Sequence, residues 1–478
     1  MARRPRSNQS HDEDSGSEAP TGNVQYGTTG VIDLSPGTLV SFPIDSVDDS
    51  IAAFRNEGGI GAIAQAADFE DTMEAAQSGA GATIFPSLGV AVLDIDPDQQ
   101  GGIAAAVANR DNPLASREIE PIFFAFADGA SPDFVPYLRG YRDAVNQMWA
   151  QLTGEGLGDA GNALPFGQAI GARLSTQTLA DSETATWGLM ATGVEGTRLT
   201  GRGVKLAILD TGIDDSHPDF RSRLSPARMR SFIPGEPVED LNGHGTHCAG
   251  TAAGSRQPQR GPRYGIAPEA ELYIGKVLSN AGAALGRSTL FGIEWAIAQG
   301  CRIISMSIGG RVTPGAGHSP AFENLARNAL RRDALIIAAA GNDSRRSRGR
   351  PDPVSSPANC PSIFAVAALD RNLRVADFSN GAVNPDANID IAAPGVDVYS
   401  SAPEPAAPPQ PPRFRPWRAQ YDTLNGTSMA TPHVAGIAAL LLEQEPTLNA
   451  SELWRRLVSR AQPLPAPASD VGAGLARL

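Results

Sequence analysis

Residues 204–214 read VKLAILDTGID, and this stretch sets the frame for the rest of the chain. Residues 204–209 form an apolar run of strand length, and a strand without polar alternation has both faces buried, as strands of a parallel sheet do. Asp210 closes the run and Thr211-Gly212 turns the chain. In open parallel sheets, ligand-binding groups collect at such carboxyl ends. Three further apolar runs, residues 303–308, 334–340 and 363–368, alternate with helical stretches, one marked by Phe322, Leu325, Ala326 and Ala329 at helical steps. Alternation of this kind predicts parallel strands joined by right-handed crossovers, hence a three-layer α/β domain with a mostly parallel sheet. A capping-box pattern at Asn449 and Glu452 opens a last helix over residues 450–460.

Two glycine-rich segments supply partners for Asp210. NGHGTHCAGT, residues 242–251, carries His244, and NGTSMATPHVAG, residues 425–436, carries Ser428. A serine hydroxyl is a poor nucleophile at neutral pH, so a base must take its proton and later return one to the leaving amine; one imidazole does both. A carboxylate behind the ring fixes its tautomer and stabilises the imidazolium. Ser428 precedes residues 429–442, which are apolar all round and read as a buried helix. The start of a helix offers unpaired N–H groups and partial positive charge, both suited to an oxyanion beside the nucleophile. Asn342, in AAAGND at residues 338–343, is the second candidate oxyanion donor.

From about residue 187 to about residue 460 the chain resembles the subtilisin-like serine proteases, with the aspartate, histidine, asparagine and serine motifs in order. The resemblance implies a serine endopeptidase working through an acyl-enzyme. It makes Asp210 the orienting carboxylate, His244 the general acid/base and Ser428 the nucleophile, with Ser428 and Asn342 forming the oxyanion hole. It also implies that SMSIGG, residues 305–310, and KVLSNAG, residues 276–282, flank an extended substrate that enters as an added strand. Ser307, Ile308, Gly309, Ser279 and Gly341 are the substrate-binding residues expected on that basis.

Ahead of this part, residues 1–25 are too polar to repay ordering. Residues 26–128 read as a small α+β module: strand 38–42, a helical stretch, a strand pair around 83–85 and 89–95, helix 98–109 and strand 117–126. That is a split βαβ, ferredoxin-like order. The module resembles the inhibitory propeptide ahead of many subtilisins, nearest at GVAVLDI (residues 89–95) and EIEP (residues 118–121). Residues 129–186 are expected to hold a helix over 138–152 and a linker over 154–186 in which the chain cuts itself. Residues 187–465 are the peptidase domain and 466–478 a carboxyl-terminal tail.

Lys+Arg 39 against Asp+Glu 52 gives −13, which offers no general argument for nucleic acid as a partner. Expected partners are protein or peptide substrates and the chain's own amino-terminal module as an intramolecular inhibitor. No apolar run approaches the roughly 20 residues of a membrane span. The polar amino end and three cysteines without framework spacing point to the cytoplasm. Cys248 reads as a small buried group four residues after His244, from which a thiol reagent would crowd the histidine. His247 invites a metal pair but lacks a third ligand, and His217 and His433 read as core or turn residues. The family's calcium loop corresponds to SRQPQRGPRY, residues 255–264, which has no carboxylate, so Asp219 is left as a turn or ion-pair residue and neither metal nor cofactor is expected. Arg345, Arg346, Arg348 and Arg350 suit either a preference for acidic substrate residues or a solvated basic loop. The proline-rich residues 403–416 read as a neutral insertion or a semi-rigid wall. Two other readings stay open. In one the amino-terminal module is a lasting sensing domain that regulates proteolysis; in the other the chain is an inactive scaffold, which the intact triad positions disfavour.

Overall fold

The computed structural model describes residues 24–25, 31–32, 36–69, 72–125, 178–404 and 420–478. Residues 1–35 form one unit, in which Val24–Gln25 and Val31–Ile32 pair antiparallel. Everything from Pro36 onward is a second unit.

The second unit is built on a seven-stranded sheet in the order Met229–Ser231, Glu271–Lys276, Lys205–Asp210, Ile303–Met306, Leu335–Ala339, Phe364–Leu369, Ile391–Pro394, and every neighbouring pair is parallel. The apolar runs divide by the period of two that a pleated strand imposes. Leu206, Ile208, Ile303, Ile337 and Val366 join a core with the helices His244–Ala253, Thr427–Gln444 and Ala450–Arg460. Ala207, Leu209, Ile304, Ile336 and Ala365 face the opposite core, with Gly286–Ala298 and Pro320–Arg331. The result is the three-layer α/β arrangement with a wholly parallel sheet. No helix among the described residues is long and apolar enough to cross a membrane.

The amino-terminal module forms a five-stranded sheet in the order Ile63–Gln65, Ala82–Phe85, Val90–Leu93, Thr38–Ser41, Ser116–Ile119. Its pleat is also buried on both sides. Val40, Ile84, Ala91 and Leu93 pack with Phe54 and Ile103 of the module's own helices, Val47–Asn56 and Pro97–Ala108. Leu39, Phe85, Val90 and Val92 instead enter the core shared with Gly286–Ala298 and Pro320–Arg331, where Phe85 meets Phe291 edge to face at 5.0 Å. Asn324 and Asn328 of Pro320–Arg331 donate to the carbonyls of Gly89 and Leu88, both at 2.9 Å.

Several elements differ from the sequence reading. The strand expected over 117–126 breaks at Glu120-Pro121: Ser116–Ile119 stays in the module, whereas Ile122–Ala125 pairs with Ala283–Leu285 and Ile308–Gly309. Proline has no N–H to continue a ladder. The run 303–308 likewise divides into Ile303–Met306 and Ile308–Gly309, with Ser307 between them. Glu271–Lys276 and Ile391–Pro394 escaped notice as strands. The expected helix 138–152 lies outside the described residues, as does most of the linker. The linker's end, 178–186, is pinned: Asp181 accepts from Trp187 N at 2.7 Å and Leu179 N donates to Arg371 O at 2.8 Å. Residues 466–478, expected as a tail, bond back to the edge strand, where Gly474 O and Ala476 N flank Ala392 at 2.8 Å each.

Two fully buried histidines give the fold a pH dependence. Burial lowers His247 to about 3 and His433, whose Nδ1 donates to Met429 O at 2.8 Å, to about 4. The unfolded chain, with histidines near 6.5, binds these protons first, so their contribution to stability falls as pH drops below about 6.5 and stops falling near each folded value. Urea unfolding of wild type and His433→Gln between pH 7 and 4 should show the wild type losing stability faster, by roughly 1.4 kcal/mol per pH unit. Equal slopes would contradict the assignment.

Candidate active site

Asp210 ends the strand Lys205–Asp210 and His244 begins the helix His244–Ala253. Their side chains meet at 2.7 Å, Nδ1 to Oδ1, with both residues almost wholly buried. Thr211 N also donates to Asp210 Oδ1, at 2.7 Å. Burial by itself disfavours the imidazolium, but the adjacent Asp210 carboxylate outweighs it and raises His244 well above its ordinary basicity.

Asp240, which the sequence reading missed, holds this pair in place. Its Oδ1 accepts from Thr211 Oγ1 (2.9 Å) and Gly243 N (2.7 Å), and its Oδ2 from Thr246 N (2.8 Å) and Thr246 Oγ1 (2.7 Å). One carboxylate thus ties the turn after Asp210 to the first turn of the histidine helix. The approach is close enough that a Cβ on Gly245 would stand 2.3 Å from Gly212 O. The sequence signal was present: an acidic residue directly before a glycine-rich helix start suits the positive end of a helix dipole.

Ser428 is the second residue of Thr427–Gln444 and is fully buried. Four residues on, Pro432 has no N–H to return to the Ser428 carbonyl. That carbonyl accepts instead from Ser307 Oγ at 2.8 Å and from Cys248 Sγ at 3.5 Å. Ser428 Oγ donates to Ser307 O at 2.9 Å, while His244 Nε2 is buried with no hydrogen-bond partner among the described residues. The structure therefore joins Asp210 to His244 but turns the serine hydroxyl toward Ser307.

Asn342 stands beside the serine helix, its Oδ1 accepting from Thr427 N (3.0 Å) and Thr427 Oγ1 (2.9 Å). With the carbonyl end committed, the amide fixes Nδ2 as the end directed away from Thr427. Gly341, at φ +107°, donates to Thr427 Oγ1 at 3.1 Å, and a Cβ there would stand 2.2 Å from Ser355 Oγ. Ile308 and Gly309 pair with Ala125 and Phe124. Ser279 does not line that ladder. It closes a turn, donating to Ala283 O at 2.8 Å, and the pairing strand is the next segment, Ala283–Leu285.

The remaining candidates have local partners. His247 Nε2 donates to Val398 O at 3.0 Å and His217 Nε2 to Gln420 O at 2.7 Å. Asp219 lies in a turn, as expected, and its Oδ2 accepts from the phenols of Tyr264 (2.5 Å) and Tyr421 (3.1 Å). Arg346 pairs with Asp470 at 2.8 Å, whereas Arg345, Arg348 and Arg350 are exposed.

Residues 201–474 match the family described as the subtilase family. Subtilisin DY of Bacillus licheniformis is 39% identical over 262 residues, covering 55% of this chain and 84% of that protein. Subtilisin Savinase of Lederbergia lenta is 37% identical over 287 residues, 59% of this chain and 93% of that protein. Subtilisin E of Bacillus subtilis is 38% identical over 264 residues, 55% of this chain and 61% of that protein. This kinship corrects the expected cytoplasmic location, because such subtilisins are secreted extracellular enzymes. That expectation leaned on unpaired cysteines, yet all three are buried, and a buried thiol behaves as a small apolar group in any compartment.

The tyrosine clamp on Asp219 yields a test. Tyr264→Phe removes a hydrogen bond to a buried carboxylate and should cost about 1.5–3 kcal/mol in urea unfolding. A chelator should leave the wild-type midpoint in place, since phenols occupy the carboxylate that the family offers to calcium; a sharp fall would show a structural metal.

Proposed function

We propose a mechanism from one premise: this chain belongs to the subtilase family, and it is a serine endopeptidase. Ser428 is the nucleophile. Its hydroxyl swings from Ser307 O to His244 Nε2, which takes the proton as Oγ attacks the substrate carbonyl. Asp210, already on Nδ1, holds the tautomer that leaves Nε2 as the acceptor and stabilises the imidazolium. The oxyanion is met by Asn342 Nδ2 and the N–H at the start of Thr427–Gln444. His244 then protonates the leaving amine, and water, activated the same way, releases the acyl group. Substrate is held as a strand between Ala283–Leu285 and Ile308–Gly309, with Ser307, Ile308, Gly309 and Gly341 shaping the floor.

The chain is made as an autoinhibited zymogen. The observation that carries this reading is the strand Ile122–Ala125, which pairs antiparallel with Ala283–Leu285 on one side and with Ile308–Gly309 on the other. The module thereby fills the place an extended substrate would take. Phe123, fully buried, packs edge to face on Phe322 at 5.2 Å. On either side of the crossing, two module carboxylates sit on the first turns of protease helices. Glu118 accepts from Ser319 Oγ and from Ala321 N, the latter at 3.1 Å. Glu120 accepts from Arg287 N at 2.6 Å and Arg287 Nη2 at 2.7 Å, and Arg287 also reaches Asp94 at 2.9 Å. Because residues 178–186 are fastened to the catalytic body, the first self-cleavage falls after Ile122–Ala125 and before Thr178.

Side-by-side intact masses of wild type and Ser428→Ala, with a fluorophosphonate probe, test this. The wild type should be clipped between residues 126 and 177 and labelled, and Ser428→Ala should be neither. A wild type that stays whole but is labelled would make the module a lasting regulator. Glu120→Ala removes the buried partner and leaves Arg287 only the more exposed Asp94, and should speed release of the module.

A further inference from the structure

We propose that Lys276 is a positioning residue for the peptidase reaction: its buried ammonium fixes the turn behind Asp210 and limits how firmly His244 holds a proton. The inference rests on the catalytic assignment above.

Lys276 ends the strand Glu271–Lys276 and is the register partner of Asp210 on the neighbouring strand. It is wholly buried, and a buried charge without partners is strongly disfavoured. An ammonium has three donors to place. Nζ donates to Thr211 O and, at 2.8 Å, to Asn280 Oδ1, and it pairs with Glu236 Oε2 at 3.4 Å.

These partners make the ammonium a junction. Thr211 has its other polar groups on two carboxylates, N donating to Asp210 Oδ1 at 2.7 Å and Oγ1 to Asp240 Oδ1 at 2.9 Å. Lys276 takes the remaining group, the carbonyl, so the turn is held at every polar atom. Asn280 Oδ1 also accepts from Leu241 N, and Asn280 O from Asn242 Nδ2, both at 3.1 Å, which ties the segment before His244 to the same point. Two residues on, Gly282 O accepts from Ala125 N at 2.9 Å, where the cleft strand lies. One cation thus joins the aspartate turn, the entry to the histidine helix and the substrate edge.

The charged groups that act on the ammonium are Asp240, Glu236 and Asp210. Those that act on His244 are Asp210 and, from its own helix, Cys248 and His247. Asp210 and Asp240 are both buried, and Lys276 carries the positive charge set against them. A cation placed there works through Asp210 to oppose the imidazolium that Asp210 favours. The balance matters to the reaction, because an imidazole that keeps its proton cannot take one from Ser428. The two roles separate by sign. A turn that merely loosened would weaken the hold of Asp210 on His244 and make the imidazole less basic, whereas loss of the positive charge makes it more basic.

The test titrates full-length Ser428→Ala, isotope-labelled at the histidine rings, by NMR with and without Lys276→Met; His244→Gln identifies the resonance. In parallel, kcat/KM of the wild type and of Lys276→Met on a soluble peptide is measured against pH. The His244 midpoint should rise by about 0.5–1 pH unit in Lys276→Met, and the acid limb of kcat/KM should rise with it. Lys276→Arg, which keeps the charge, should return both toward their starting values. Glu236→Gln removes a negative charge beside the ammonium and should lower the midpoint, so it carries the test if Lys276→Met fails to fold. A midpoint that stays or falls in Lys276→Met, or stays or rises in Glu236→Gln, overturns the proposal. A wild type without peptidase activity whose His244 midpoint still follows Lys276 overturns the catalytic assignment and keeps the charge coupling.

Discussion

A carboxylate almost wholly buried at the end of a strand must be satisfied, and the satisfaction of Asp210 organises this molecule. Its Oδ1 takes both the Thr211 amide and the His244 imidazole. Holding that imidazole within 2.7 Å requires a helix to start against the turn after the strand, which demands glycine at 245, while Gly212 is needed for its φ of +112° and its approach to Val238 O. Asp240 then fastens helix to turn with the N–H and hydroxyl groups that both would otherwise leave unpaired. The parallel sheet supplies the rigid frame: with Glu271–Lys276 on one side and Ile303–Met306 on the other, Lys205–Asp210 has no freedom to shift. The chemistry of the family follows from a charge that cannot be left alone.

The cleft depends on a different economy of hydrogen bonds. Ala283–Leu285 and Ile308–Gly309 each expose a strand edge, and unpaired edges invite an added strand. Ile122–Ala125 satisfies both at once. The module is fixed for this role by interactions of two kinds. Apolar residues from one pleat face, Phe85 and Val90 among them, enter the protease core, whereas Glu118 and Glu120 meet the positive ends of two helices. The module thus has one core of its own and one shared with the catalytic body.

Much of this is legible in the sequence. The apolar runs announced a parallel sheet because burial on both faces erases polar alternation, and the Asp210, His244 and Ser428 motifs announced the site because their glycines and helix starts leave few other uses. EIEP marked the module's docking edge. What stayed hidden is tertiary. Glu271–Lys276 opens and closes on charged residues, so its apolar run is too short to separate from a loop. The break at Pro121 was readable as a lost donor, but the strand's change of partner was not. Asp240 lacked any motif of its own. Ser279 was carried over from the family, although its hydroxyl closes the turn to Ala283 and the edge that meets Ala125 begins at Gly282. The cysteines misled about compartment because composition does not reveal burial.

Hydrogen exchange on the two cleft edges tests the central claim most directly. In full-length Ser428→Ala, the amides of residues 283–285 and 308–309 should exchange slowly, and in the processed, module-free enzyme they should exchange freely. Equal protection in the two forms would mean that Ile122–Ala125 does not fill the cleft in solution, and the autoinhibited zymogen would have to be given up.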